Sequence, residues 1–355
     1  MRSTDAPGAA QRLQQRVQQA WLHRGAVAIA LAPLAIVFGA LTAVRRLLYR
    51  RGWRTTTTLR VPVVVVGNLI VGGAGKTPTV IAVVAALRRH GFTPGIVSRG
   101  YGGQARQVCE VTRDSRAVVC GDEPLLLHLR TGAPVVVARD RVAAAGHLLC
   151  RHADVDIVVS DDGLQHLRLG RDAQVLVFDE RGAGNGWLLP AGPLRETVPR
   201  TLLPGTLVVY NAAAPSTPLP GVLARRALGG AVALADWWQG RPASAAALDA
   251  LRGRTVVAAA GLARPERFFE MLRGRGLQIV ALPRPDHDDF ATLPWPANTA
   301  DVIVTEKDAV KLAPDRAGAT RVWVATLDFT LDAAFEAALI ALLPRPGLPH
   351  GNATS

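Results

Sequence analysis

The 355-residue chain is 49% apolar and 19% charged, so most of it folds, with length enough for a sizeable core and two folded units. Its net charge of +13 is concentrated at one end, where residues 1–60 hold ten arginines, from Arg2 to Arg60, against the single acid Asp5. Those arginines bracket an apolar run instead of sharing a folded face with aromatics, which argues against nucleic acid as partner and for anionic lipid headgroups.

Leu13, Val17 and Trp21 repeat every four residues among Gln and Arg, as in an amphipathic helix lying on a membrane. Ala26 to Val44 follows, 19 residues without a charge, softened only by Pro33, Gly39 and Thr42. As a helix it nearly spans the ~30 Å hydrocarbon core of a bilayer. Arg24 precedes the run and Arg45, Arg46, Arg50 and Arg51 follow it, so the positive-inside rule gives no orientation. The basic flanks still favour the cytoplasmic leaflet. A buried core helix is the competing reading; a cleaved signal peptide fits poorly, since the run is long and begins late. Cys109, Cys120 and Cys150 are odd in number, lack metal-ligand spacing and suit a reducing compartment.

Val61 to Val66 reads as a buried parallel strand, and Pro78 to His90 as the helix after a glycine-rich loop. Further strands are expected at Pro94–Ser98, Ala133–Ala138, Asp156–Ser160, Ala173–Phe178 and Thr206–Tyr210, with helices at Glu123–Arg130 and Arg141–His152. This alternation predicts an α/β fold, a P-loop-type doubly wound and mainly parallel sheet. After the proline-rich break at Pro215–Gly221, strands at Ala231–Ala235, Thr255–Ala259, Gln278–Ala281, Val302–Thr305 and Val322–Val324 predict a smaller α/β unit. The expected divisions are therefore a basic, apolar segment over 1–60, a kinase-type domain over 61–215, a smaller domain over 216–343 and a disordered tail over 344–355.

The loop Val71, Gly72, Gly73, Ala74, Gly75, Lys76, Thr77 carries most of the G-x-x-x-x-G-K-[ST] signature, though Ile70 stands where the first glycine belongs. Such a loop wraps phosphates in backbone N–H groups, with Lys on the β/γ-phosphates and Thr on Mg²⁺. Only three lysines occur, Lys76, Lys307 and Lys311, which makes one inside a glycine loop less accidental. Asp161 and Asp162 end a buried strand, where nucleotide-binding folds place a metal ligand; Gln165 and His166 lie just beyond. Gly121-Asp122-Glu123-Pro124 reads equally as a helix cap or as chemistry. His287 lies among Asp286, Asp288 and Asp289, which suits an imidazolium partnering a catalytic carboxylate, or a solvated loop. Arg195, in Pro190–Glu196, can supply charge to a transferring phosphoryl group, and the Ser98–Gly103 loop with Tyr101 can touch a sugar or phosphate.

In order along most of the chain, GNLIVGGAGKTP, SRGYGG, GDEP, SDDGLQH, PAGPLRE, GLARPERFF, the PDH of Pro285–His287 and TEKDAVKL resemble the tetraacyldisaccharide 4'-kinase family, the lipid A 4'-kinases of Gram-negative bacteria. The departure at Ile70 is part of that resemblance. It implies ATP-dependent phosphorylation of the 4'-hydroxyl of a tetraacyl glucosamine disaccharide 1-phosphate, giving lipid IVA, with Mg²⁺. It also implies an N-terminal helix that faces the membrane beside the acyl chains; with the basic flanks, the chain is expected at the cytoplasmic face of the inner membrane, as a monomer. Carried over by motif, Lys76 holds the β/γ-phosphates, Thr77 the magnesium, and Asp161 and Asp162 the metal and charge network. Asp122 takes the sugar hydroxyl proton, with His287 orienting it; Glu123, Arg141, Gln165, His166 and Arg195 are secondary members of the site. Tyr101 falls on the lipid side, and Ala74 stands where many relatives carry a hydroxyl. A membrane-associated NTPase switch without a lipid acceptor, and a non-catalytic lipid-binding protein, are the competing functions.

Overall fold

The computed structural model describes residues 21–286 and 288–346. The expectations for Leu13, Val17 and His287, and for the tail beyond Pro346, lie outside the described residues. Helix α1, Ala26–Arg50, contains the whole apolar run and continues through its basic flank. It lies against the body along one side: Trp21 Nε1 donates to Pro190 O (2.9 Å), Arg24 Nε to Asn185 O (3.0 Å) and Arg45 to Gln165 O (3.0 Å), while Arg46 pairs with Glu196. Only Ala28 and Ala35 are buried; Ile29, Leu34, Ile36, Val37 and Leu41 are among the residues that leave an apolar flank open, with Ile36 72% exposed.

The first sheet is built from β1 (Val63–Gly67), β2 (Pro94–Ser98), β3 (Cys109–Val111), β4 (Val135–Val137), β5 (Ile157–Asp161), β6 (Ala173–Asp179), β7 (Thr206–Asn211) and β8 (Val222–Leu223). Their order is β3-β4-β2-β5-β1-β6-β7-β8, parallel except for β3 against β4. Helices α2 (Lys76–Arg89), α3 (Ala117–Cys120), α4 (Asp122–Thr131) and α5 (Arg141–Arg151) accompany it. Alternate residues of the β-branched strands enter different cores: Val64, Val66 and Val159 meet α2 and α4, while Val63, Val65 and Val158 meet α5. Burial on both faces is why these strands read as unbroken apolar runs.

The second sheet has the order β11-β10-β12-β13-β9, with β9 (Arg225–Ala233), β10 (Thr255–Ala260), β11 (Gln278–Pro283), β12 (Asp301–Thr305) and β13 (Arg321–Thr330). Its helices are α6 (Leu234–Trp238), α7 (Ala245–Asp249), α8 (Pro265–Gly274) and α9 (Glu306–Ala309). The strand expected at Ala231–Ala235 needs correction: from Leu234 the chain is helical, since Leu234 and Trp237, three apart, both turn into the core. The antiparallel β9–β13 pair is also far longer than expected, running from Trp323↔Ala233 to Thr330↔Arg225. The sheets share one core, in which Val83 of α2 and Val177 of β6 belong to the same buried cluster as Val304 and Val324. The first sheet also runs past the proline-rich break to take in β8, and the last helix, α10 (Ala333–Ala341), returns to the first sheet, where Glu336 meets Arg89 of α2 (2.6 Å).

Candidate active site

Parallel strands β1, β5, β6 and β7 deliver Gly67, Asp161, Asp179 and Asn211 at their C-terminal ends, the edge where open α/β sheets bind ligands. The glycine-rich loop leaves this edge. Its carbonyls are held one after another: Val71 O and Gly73 O by Arg181 (3.2 and 2.9 Å), Gly72 O by Asn68 Nδ2 (3.0 Å) and Ala74 O by Asn211 Nδ2 (3.0 Å). In a trans peptide the N–H points opposite to the carbonyl. Pinning the carbonyls thus leaves the N–H groups of residues 72–75 for an anion, the nest that cradles phosphate. Gly75 has φ +94° and forms the N-cap of α2, and a Cβ there would overlap Asn211, so only glycine fits. Lys76 and Thr77 then open α2, adding its N-terminal dipole.

Lys76 Nζ lies 3.3 Å from Asn68 Oδ1 and 3.8 Å from Asp162 Oδ1. Asp162 has φ +47°, a left-handed conformation uncommon outside glycine, and strain of this kind concentrates at functional sites. Arg195 NH1 contacts both oxygens of Asp162 at 3.1 Å and Gln165 Oε1 at 3.4 Å. Burial alone would raise the Asp162 carboxyl, but Lys76 and Arg195 outweigh it and hold the group below its ordinary value. Asp161 behaves oppositely. It is buried, one oxygen accepts from Ser98 Oγ (2.9 Å), and its Oδ1 has no hydrogen-bond partner. Desolvation first, then the neighbouring Glu123 and Asp162 charges, push its carboxyl up to about 7. Two adjacent carboxylates, one kept ionised and one reluctant to ionise, are the expected pattern where a cation belongs between them.

Arg141 is buried, donates to Asp162 O (3.2 Å), and has its basicity lowered by burial. His166 Nε2 accepts the Arg141 N–H (3.3 Å) and faces Asp140 (3.4 Å), so this ring holds the start of α5. Burial and Arg141 lower its pKa, which agrees with a neutral, accepting imidazole.

The other wall begins at Asp122, the first residue of α4, buried with Oδ1 on the Glu123 N–H (2.9 Å). Gly121, φ +94°, makes this turn possible, since a Cβ would come 2.8 Å from the Tyr101 carbonyl of the neighbouring loop. That contact brings Tyr101, 68% exposed, beside the acidic turn. From the second sheet, Lys307 of α9 reaches Asp286 Oδ1 (3.0 Å) and Glu123 Oε1 (3.5 Å). Burial would lower the lysine's pKa, but Glu123, Asp286 and Asp122 together raise it. Between the walls lies a cleft of about 480 Å³, lined by Gly73–Pro78, Glu123, Asp179, Asn211, Asp286 and Lys307, with the β9–β13 ends opposite. A larger cavity, about 610 Å³, lies at the basic end of α1 beside Arg46, Tyr49 and Leu59, away from Lys76 and Thr77.

The structure therefore links Lys76, Asp162, Arg195, Gln165 and Arg141 by direct contacts and brings Asp161 within electrostatic reach of Glu123, next to Asp122 and the Tyr101 loop. The family model described as Tetraacyldisaccharide-1-P 4'-kinase matches residues 27–344. The chain belongs to that family. A tetraacyldisaccharide 4'-kinase from Methylibium petroleiphilum is 59% identical over 350 residues, covering 96% of this chain and 98% of its own. One from Leptothrix cholodnii is 56% identical over 342 residues, covering 95% and 98%. Among solved structures, the LpxK of Aquifex aeolicus in complex with ATP superposes with a TM-score of 0.72 at 24% identity. That match covers 89% of this chain and 99% of the other, and establishes the shared α/β fold.

Against the tetraacyldisaccharide-1-P 4'-kinase motifs, sequence reading assigned no role to Asn68, Asp179, Arg181, Asn211 or Lys307, and named Ser98 only as part of a loop that can touch a sugar or phosphate, not as the partner of Asp161. Asp179 and Asn211 carried one usable signal: each is the last residue of a parallel strand. Arg181 carried none, because its partners are 110 and 108 positions away.

Proposed function

We propose that the chain transfers the γ-phosphoryl group of ATP to the 4'-hydroxyl of a tetraacyl glucosamine disaccharide 1-phosphate, giving lipid IVA in lipid A biosynthesis. The observation that carries this reading is the shared cleft, lined by the glycine-rich loop and by Glu123, the neighbour of the buried Asp122. In this reading residues 61–215 form the nucleotide-binding domain and 216–343 the smaller one. Val71 to Gly75 wrap the phosphates, Lys76 neutralises the β/γ-oxygens, and Arg195 steadies Asp162 beside them. Asp122 takes the proton of the attacking hydroxyl, and His287 orients it. Glu123, Arg141, Gln165 and His166 support these groups, while Tyr101 lies on the substrate side.

Asp161 and Asp162 fit Mg²⁺ together with Thr77, for the partnerless buried oxygen of Asp161 is an acceptor awaiting a hard cation. No cluster of three or more His, Cys, Asp or Glu suited to metal occurs among the described residues, and Mg²⁺ in kinases needs only one or two carboxylates beside the phosphates. The chemistry bound Mg²⁺ supplies here is neutralisation of phosphate charge.

For α1 we infer an in-plane position at the cytoplasmic face of the inner membrane. The helix is tied to the body near both ends, at Arg24 and at Arg45 and Arg46, so it cannot cross a bilayer without drawing the body in. Its open flank suits the acyl layer, and its arginines suit anionic headgroups. A monomer suffices for this arrangement.

Incubation with ATP, Mg²⁺ and the tetraacyl disaccharide 1-phosphate should add the mass of one phosphoryl group to the lipid. Consumption of ATP with the lipid unchanged would mark a nucleotide switch instead. Asp122→Ala should lower kcat by roughly 10²–10⁴ with little change in KM for ATP, as loss of a general base does; equal effects on both would remove it from that role.

A further inference from the structure

Lys307 is among the three lysines of the chain and joins carboxylates from both halves of the molecule. Glu123, beside Asp122, comes from the first residues of α4, and Asp286 comes from the loop after β11. Lys307 lines the same cleft as the glycine-rich loop, and it pairs with carboxylates. Its ammonium is one positive charge among three carboxylates, since Asp122 also acts on it.

The surrounding segment is built to hold that charge still. Asp308, the next residue and fully buried, takes the Gly261 N–H (3.0 Å), the Thr305 hydroxyl (2.7 Å) and Lys311 (3.0 Å). Lys311 in turn stands over the Phe290 ring at 5.3 Å. On the other side, Glu306 takes Arg130 from the last turn of α4. The four-residue α9 is thereby fixed to both ends of α4: Glu306 to Arg130 in the last turn of α4, Lys307 to Glu123 in its first. The same α9 also fixes the loop that carries Asp286, through Lys307 and through Gly261, against which the Pro285 carbonyl packs.

We propose that Lys307 is a positioning residue for phosphoryl transfer: it holds the Asp122–Glu123 turn and the Asp286 loop in register across the cleft and sets its positive charge beside the acidic turn that carries the base. The proposal rests on the reading of Asp122 as that base. Among the described residues, charged and titratable groups near Asp122 include Lys307 of α9, Glu123 on its own helix, Cys120 of α3 and, past Glu123, Asp161 of β5, with Asp286 of the facing loop on the same lysine; the proposed function adds His287. Lys307 places a positive charge within electrostatic reach of Asp122, so its removal takes that charge from a carboxyl with Glu123 beside it, and such a carboxyl ionises at higher pH.

The test uses the full-length protein with Lys307→Met, Lys307→Arg and Asp122→Ala, following lipid phosphorylation across pH. Lys307→Met should lose roughly 10²-fold in kcat, with KM for ATP within about threefold, and the acidic limb of its kcat profile should move to higher pH. Lys307→Arg keeps the charge and should restore at least a tenth of the activity, with the limb near its original position. Melting temperature and KM for ATP report whether Lys307→Met remains folded. If it is folded and as fast as the parent, or slow with the limb unmoved and no gain from arginine, the positioning role is overturned. Full activity in Asp122→Ala would instead overturn the base reading beneath it, so the two failures are distinguishable.

Discussion

Asp161 shows at the residue scale how far a site departs from what stability alone would choose. Its carboxyl rises from an ordinary value of 3.8 to about 7, so the folded protein binds this proton more tightly than the unfolded chain does. Linkage gives the sign: between about pH 4 and pH 7 stability falls as pH rises, and the loss is complete above pH 7. Asp161→Asn removes that dependence. In metal-free protein it should therefore raise the melting temperature more at pH 8 than at pH 5, while abolishing lipid phosphorylation. An equal shift at both pH values would show that the buried charge is not the cause. Sequence placed Asp161 at a strand end because the β-branched run before it is local information. The opposite fates of Asp161 and Asp162 were not legible, since they depend on Glu123, Arg195 and Ser98, which meet only after folding.

Helix α1 marks the limit of hydropathy at the scale of elements. Its 25 residues have the length and apolar composition of a membrane-crossing segment, yet only the contacts of Trp21, Arg24, Arg45 and Arg46 decide how it lies. A charge placed on the open flank should break membrane contact without touching the cleft. Ile36→Asp should reduce binding to anionic vesicles by more than about tenfold, since an exposed apolar side chain gives way to a solvated carboxylate. Its melting temperature should stay close to the parent's; undiminished co-flotation with vesicles would contradict the in-plane placement. The β1–loop–α2 unit lay at the opposite extreme of legibility, because strand run, glycine loop and helix are contiguous. The length of β9 and β13 was hidden, as their register is set by cross-strand pairing and includes an irregularity at Thr326/Leu327.

On the scale of the whole molecule, the two sheets are bound through a shared core and through Glu306, which takes Arg130, the Trp237 indole (3.2 Å) and the Leu327 N–H (3.3 Å). Glu306→Ala strands those donors, and its expected cost is roughly 1–3 kcal/mol, as for buried donors left unsatisfied, because Arg130 keeps some access to solvent. Urea unfolding followed by far-ultraviolet circular dichroism and by tryptophan fluorescence should give coincident transitions in the parent, and an earlier midpoint in the variant. Two well-separated transitions in the parent would refute a common core. The donor half of the cleft was readable from sequence physics; the acceptor's identity was not. Lipid-sugar recognition came from the family motifs, because no local spacing encodes an acylated disaccharide.

The in-plane placement proposed for α1 would also change the dimension of the search for substrate. An enzyme resting in the plane of the bilayer meets its lipid by lateral diffusion, so encounter frequency follows the lipid's mole fraction in the surface and not its amount per volume. Diluting the substrate with inert detergent or phospholipid, at fixed bulk concentration, should then slow turnover in proportion. An Ile36→Asp enzyme should escape that dependence while remaining slower on vesicles throughout.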